Sequence, residues 1–150
     1  MDNILLTIKE FENASITSPI VQQTVDLARC TSSKVHVLHV VPTSKQSPYN
    51  IDTELFRREV ADELRYEHKC LQQLTEDMRR TGVDARALLV KGPIISMILY
   101  EAERMAVDLI VLGRHRHGPL YLALLDNTYQ GLIEKCDCRV MFFQILILNA

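Results

Sequence analysis

Apolar residues in this chain fall into two alternating kinds of pattern, short continuous runs and longer stretches with helical spacing. Asn3-Ile4-Leu5-Leu6-Thr7-Ile8 is almost continuously apolar, as expected of a strand covered on both faces. Ser18-Pro19 then supplies a helix cap followed by proline at the first helical position. Val21, Val25 and Ala28 recur at helical spacing, so a helix is predicted to about Cys30. Lys34 to Val41 is rich in β-branched residues and ends at Pro42, which reads as a second buried strand. Thr43 to Asn50 has the serine, proline and asparagine content of a surface loop.

From Asp52 to about Arg80 the set Phe56, Val60, Leu64, Leu71, Leu74 and Met78 marks a long amphipathic helix, stopped by Thr81-Gly82. Asp84 to Lys91 is a third strand. Gly92-Pro93 opens a helix whose apolar face is Ile94, Ile95, Ile98, Leu99, Ala102 and Met105. Asp108 to Leu112 is a fourth strand, Gly113 to Pro119 a loop, Leu120 to Cys136 a last helix interrupted by Gly131, and Arg139 to Leu148 a very apolar fifth strand. Strands alternating with helices through short connections predict one α/β domain over residues 1–150. Its architecture is a doubly wound, five-stranded parallel sheet with helices on both faces. Such sheets take ligands beyond the carboxyl ends of their strands, which directs attention to the residues after Thr7, His39 and Leu112.

Composition changes this picture little. Apolar residues make up 47% and charged residues 24%, ordinary values for a globular domain. A net charge of −2 gives no global attraction to nucleic acid or anionic membrane. The run Val140 to Leu148, broken by Gln144, is far short of the roughly twenty residues needed to span a bilayer. The opening Met1-Asp2-Asn3-Ile4 has no basic stretch leading into an apolar run, and a cytoplasmic location is expected. Cys136-Asp137-Cys138 has one intervening residue, not the two of a redox or zinc-knuckle pair. With Cys30 and Cys70, these cysteines are expected to be structural or incidental.

The chain from Asn3 to Phe143 resembles the universal stress protein family in length and element order, and three stretches carry the resemblance. They are Ile4-Leu-Leu-Thr-Ile8, Val37-Leu-His-Val-Val41, and Val107-Asp-Leu-Ile-Val-Leu-Gly-Arg-His-Arg-His-Gly-Pro-Leu-Tyr121. Cys136-Asp-Cys-Arg-Val140 is similar to the family's cysteine-proline-valine lead-in to the last strand. The resemblance implies a nucleotide pocket whose phosphate loop reads glycine, two residues, glycine, nine residues, then glycine with serine or threonine. On this chain those positions are Gly113, Arg116, Asp126 and Asn127, so only the first glycine survives. Glycine is needed there because backbone N–H groups must approach phosphate closely, often at positive φ, and the side chains of Arg116 and Asp126 obstruct this. Asn127 replaces the hydroxyl residue, while Thr128 keeps a hydroxyl one position later. Where nucleotide-binding relatives place aspartate after the first strand, this chain has Lys9. Either Lys9 or Arg116 pairs with Asp126 and fills the pocket, or the basic set, including Arg114, His115 and His117, holds a different anion.

The resemblance also implies a homodimer through the last strand, Val140 to Leu148. The residues agree, because an uncovered edge this apolar invites aggregation; the residues after Gln144 have no assigned place. The leading expectation is a dimeric protein acting by association, with no ATP and no turnover. The alternative is a nucleotide-dependent switch in which Ile8, Val40, Gly113 and Thr128 still hold ATP or AMP. A weaker third possibility is an enzyme acting on a phosphorylated small molecule, supported by the loop arginines alone. His115 and His117 lack a carboxylate or cysteine in the same run, and no metal is expected. His36 and His39 face opposite sides of their strand and read as satisfied core histidines. The charged face of the long helix, with Arg58 near Asp62 and Glu63 opposed to Glu67, reads as solvated, with no nucleic-acid site. No catalytic set is visible.

Overall fold

The computed structural model describes residues 1–8, 14–41, 54–115 and 131–145. Five parallel strands form one sheet in the order β3-β2-β1-β4-β5: β1 (Asn3–Thr7), β2 (Lys34–Val41), β3 (Ala85–Lys91), β4 (Leu109–His115) and β5 (Arg139–Ile145). The helices α1 (Pro19–Thr31) and α2 (Glu54–Arg80) cover one face. The helix α3 (Ile94–Arg104) and the helical residues 131–135 cover the other.

Cover on both faces explains why β1 is apolar without alternation. Ile4 and Leu6 pack beneath α1 and α2 with Val21, Leu71, Leu74 and Met78. Leu5, between them, turns to the other face and meets Leu38, Ile98, Ile110 and Leu132. All three β1 residues are fully buried. Truncating any of them to alanine removes about 2–5 kcal/mol.

The helix ends follow from local chemistry. Ser18 sits at the cap position of α1 ahead of Pro19 but makes no side-chain cap hydrogen bond; its carbonyl accepts from the Gln22 N–H at 2.9 Å. Ser32 closes α1 in the left-handed region, and the Ser33 N–H reaches back to the Ala28 carbonyl. Gly82, at φ +95°, ends α2, where a side chain would be strained. The burial of α2 is uneven along its length. Its fully buried residues begin at Leu71, while Leu55 and Tyr66 in the amino-terminal half are well exposed.

Two sequence expectations are corrected. Strand β4 does not stop at Leu112: Gly113, Arg114 and His115 continue it, paired with Phe143, Gln144 and Ile145. The apolar run of β5 supplies the partners that hold these loop-like residues in the sheet. On α2, Arg58 pairs with Glu54 and Asp62 with Arg65, and Glu67 is not on the solvated face.

At the amino edge of the sheet the Asp108 carboxylate accepts the N–H groups of Asp2 and Asn3 at 2.7 and 2.9 Å. These two bonds, led by that from Asn3, hold the carboxyl below the usual aspartate range. The Asp108 N–H donates to the Asn3 carbonyl, and the Asp108 carbonyl accepts from Arg139. One residue thereby ties together the starts of β1, β4 and β5.

Candidate functional site

The chain winds outward from β1 through β2 to β3, then returns to lay β4 and β5 on the other side of β1. At such a reversal the connections leave neighbouring strand ends in opposite directions, and doubly wound sheets take ligands in the resulting crevice, which here falls at the carboxyl ends of β1 and β4. Thr7 is the last paired residue of β1, opposite Leu38 in β2 and Leu112 in β4. Its hydroxyl donates to the Val111 carbonyl at 3.0 Å, clamping β1 to β4 just below the crevice. The next residues along the three strands are Ile8, His39 and Gly113.

Ile8 is buried, and its N–H donates to the Leu38 carbonyl at 2.8 Å. Its side chain joins the core under α1 and α2, whereas Val40 packs on the opposite face with the cluster under α3. These two residues share the carboxyl edge but not one wall. Gly113 is half-buried within β4, opposite Phe143, and His115 ends that strand; its side chain lies outside the described residues. Lys9, Arg116, His117, Asp126, Asn127 and Thr128 also lie outside them.

His39 stands at the centre of this edge, and its role was not legible from sequence. Its Nδ1 donates to the Ile8 carbonyl at 2.7 Å, since a carbonyl can only accept. Its Nε2 is then directed at Glu67 on α2, 3.5 Å from Oε2, with the two side chains 9% and 12% exposed. At 3.5 Å the contact is too long for a well-formed hydrogen bond, and Glu67 Oε2 has no hydrogen-bond partner among the described residues. The signal that could have found it is a glutamate at a helix position whose neighbours one turn on, Cys70 and Leu71, turn inward.

His36 faces the other side of the sheet and bonds the Asn3 side chain at 3.1 Å. Burial, then the nearby Arg86, lower its pKa. Both histidines are therefore buried and partnered, as expected. Among the described residues no group of three or more His, Cys, Asp or Glu is placed to hold a metal, and no helix is long and apolar enough to cross a membrane.

A sequence model of the Universal stress protein family matches residues 2–144. No curated protein matches the chain. Among solved structures it is similar to the universal stress protein UspA from Lactobacillus plantarum, at 18% identity and TM-score 0.72, covering 95% of this chain and 97% of that one. It is also similar to a universal stress protein in complex with cAMP, at 12% identity and TM-score 0.66, covering 95% and 96% of the two chains. A third is the universal stress protein from Archaeoglobus fulgidus in complex with dAMP, at 14% identity and TM-score 0.63, covering 95% and 97%. At these identities the structures speak for the fold, and the nearly full-length match speaks for the family: this chain belongs to the universal stress protein family.

Proposed function

We propose that this protein is a dimer that acts by association with other proteins, holds no ATP in the crevice at the carboxyl ends of β1 and β4, and turns over no substrate. The single observation carrying this reading is Lys9, Arg116 and Asp126 standing where nucleotide-binding relatives have aspartate, glycine and glycine. A loop that must present bare N–H groups to phosphate is obstructed by side chains at two of those points and meets inverted charge at the third.

The edge position of β5 supports the dimer. Among the described strands β5 pairs with β4 and has none on its far side, and it exposes Phe142. A second copy pairing with it would continue the sheet. Four cysteines standing as free thiols fit a reducing, cytoplasmic setting.

A second reading, a nucleotide-dependent switch holding ATP or AMP, is favoured by the similar structures that carry cAMP and dAMP. Ile8, Val40 and Gly113 remain at the strand ends, and Thr128 keeps its hydroxyl.

The test is to denature freshly purified protein, analyse the supernatant for nucleotide, and titrate native protein calorimetrically with ATP and AMP. No released nucleotide and no heat are expected, while Arg116→Gly with Asp126→Gly and Asn127→Ser raises ATP affinity by about ten-fold or more, about 1.4 kcal/mol. Stoichiometric nucleotide from the native protein establishes the second reading instead, and no gain in the triple variant defeats the obstruction argument. For the dimer, Phe142→Glu is expected to give monomer or aggregate by light scattering; an unchanged dimer moves the interface elsewhere.

A further inference from the structure

Away from the crevice, at the amino edge of the sheet, a cavity of about 280 Å³ lies between α3, the end of the last helix and the start of β5. Leu99 and Ala102 form an apolar wall, Glu103 and Lys135 bring opposite charges, and Cys136 and Cys138 both line it. The spacing of the two cysteines argued against a redox pair, but the turn before β5 brings their sulfurs to 2.9 Å. A disulfide needs about 2.05 Å, so closure asks for a movement of under about 1 Å.

The hydrogen bonds distinguish the two sulfurs. Cys136 Sγ is placed to accept the backbone N–H of Cys138 at 3.4 Å, to donate to the Cys138 carbonyl at 3.4 Å, and to share a proton with the Cys138 thiol in either direction, whereas the one fixed backbone donor in the turn points at Cys136. Burial, then the contact with Cys136, pushes the Cys138 thiol up to about 12, keeping its proton available for that bond. Both residues are half-buried against the core and reachable from the cavity.

We propose that Cys136 and Cys138 form a thiol–disulfide exchange site for small disulfides bearing amino and carboxylate groups, with Cys136 attacking and Cys138 resolving. The Cys136 thiolate attacks one sulfur of the small disulfide and expels the other half as a thiolate. Cys138 then attacks Cys136 Sγ in the mixed disulfide and expels the second half. The two cysteine protons end on the two released thiols. One external disulfide is reduced and one Cys136–Cys138 bond is formed, with no other oxidant. Glu103 and Lys135 offer partners for the ammonium and carboxylate of the incoming molecule.

The experiment equilibrates full-length protein with reduced and oxidised glutathione across a range of ratios, traps free thiols by alkylation, and maps the cysteines by mass spectrometry. Wild type is expected to accumulate an internal Cys136–Cys138 bond. Cys138→Ser is expected to stop at a glutathione adduct on Cys136, formed about ten-fold faster than the adduct on exposed Cys30 of the same chain. Absence of the internal bond in wild type at every ratio overturns the proposal whatever the variants do. A Cys136 adduct that forms no faster than the Cys30 adduct overturns the assignment of Cys136 as attacking group.

Discussion

Replacing His39 with alanine tests whether the carboxyl end of β1 is held by the contact of His39 with Glu67. The change removes the donor to the Ile8 carbonyl and leaves Glu67, whose side chain is 12% exposed, without the imidazole beside it. An orphaned buried acceptor costs about 1–3 kcal/mol. Breaking a buried pair from one side costs about 3–5 kcal/mol, reduced here because Glu67 keeps a little contact with water. The two costs overlap, and about 3 kcal/mol is the expected total. At about 2–4 °C per kcal/mol for a chain of this size, the melting temperature falls by about 6–12 °C. The assay is urea and thermal unfolding, followed by circular dichroism, for His39→Ala, Glu67→Ala and the double variant. If the two side chains hold each other as a pair, the double variant is expected to be no worse than His39→Ala alone, a coupling of at least about 1 kcal/mol. Additivity within about 0.5 kcal/mol would refute the reasoning and reduce the pair to a neighbourly contact.

The glycines give a paired test. Gly92 lies at φ +153° and a Cβ there would meet Met97 Cγ at 2.8 Å, so Gly92→Ala should cost about 1–3 kcal/mol in urea unfolding. Gly131 is helical with nothing within 4 Å of an added Cβ, so Gly131→Ala should stabilise by up to about 1 kcal/mol. Acid should weaken the fold through two groups. His36 has a lowered pKa in the folded state, so the unfolded chain takes the proton first and stability is lost as the pH falls below about 6.5. Asp108 is likewise depressed, and its contribution, present above about 3.9, is lost as the pH falls further. Melting curves against pH should show both limbs, the first flattened by His36→Gln and the second by Asp108→Asn.

The strands and helices were legible because cover on both faces writes continuous apolar runs, and one-sided cover writes helical spacing. Ile4, Leu5 and Leu6 needed no tertiary information. The end of β4 did, because Gly113-Arg-His115 carries loop-like residues and stays in the sheet only through its register with β5. Glu67 was read as solvated because a helical wheel says which face is charged but not what lies under one end of it. Asp108 belonged to a recognisable signature, yet its service as acceptor for Asp2 and Asn3 depends on a contact across more than a hundred residues. The proximity of the Cys136 and Cys138 sulfurs was not legible for a local reason: their spacing in sequence does not encode a turn that folds one sulfur back onto the other.

The uneven burial of α2 has a mechanical consequence. The helix has fully buried residues only from Leu71 onward, and Glu67, four residues earlier, lies beside His39 at the sheet edge. From there to Glu54 the helix runs about 20 Å. A tilt of about ten degrees about that point carries the tip about 3–4 Å, taking the rod length from a rise of about 1.5 Å per residue. Exposed Leu55, near the far end of that length, is therefore the position at which a label would read a change in the tilt of α2 most sensitively.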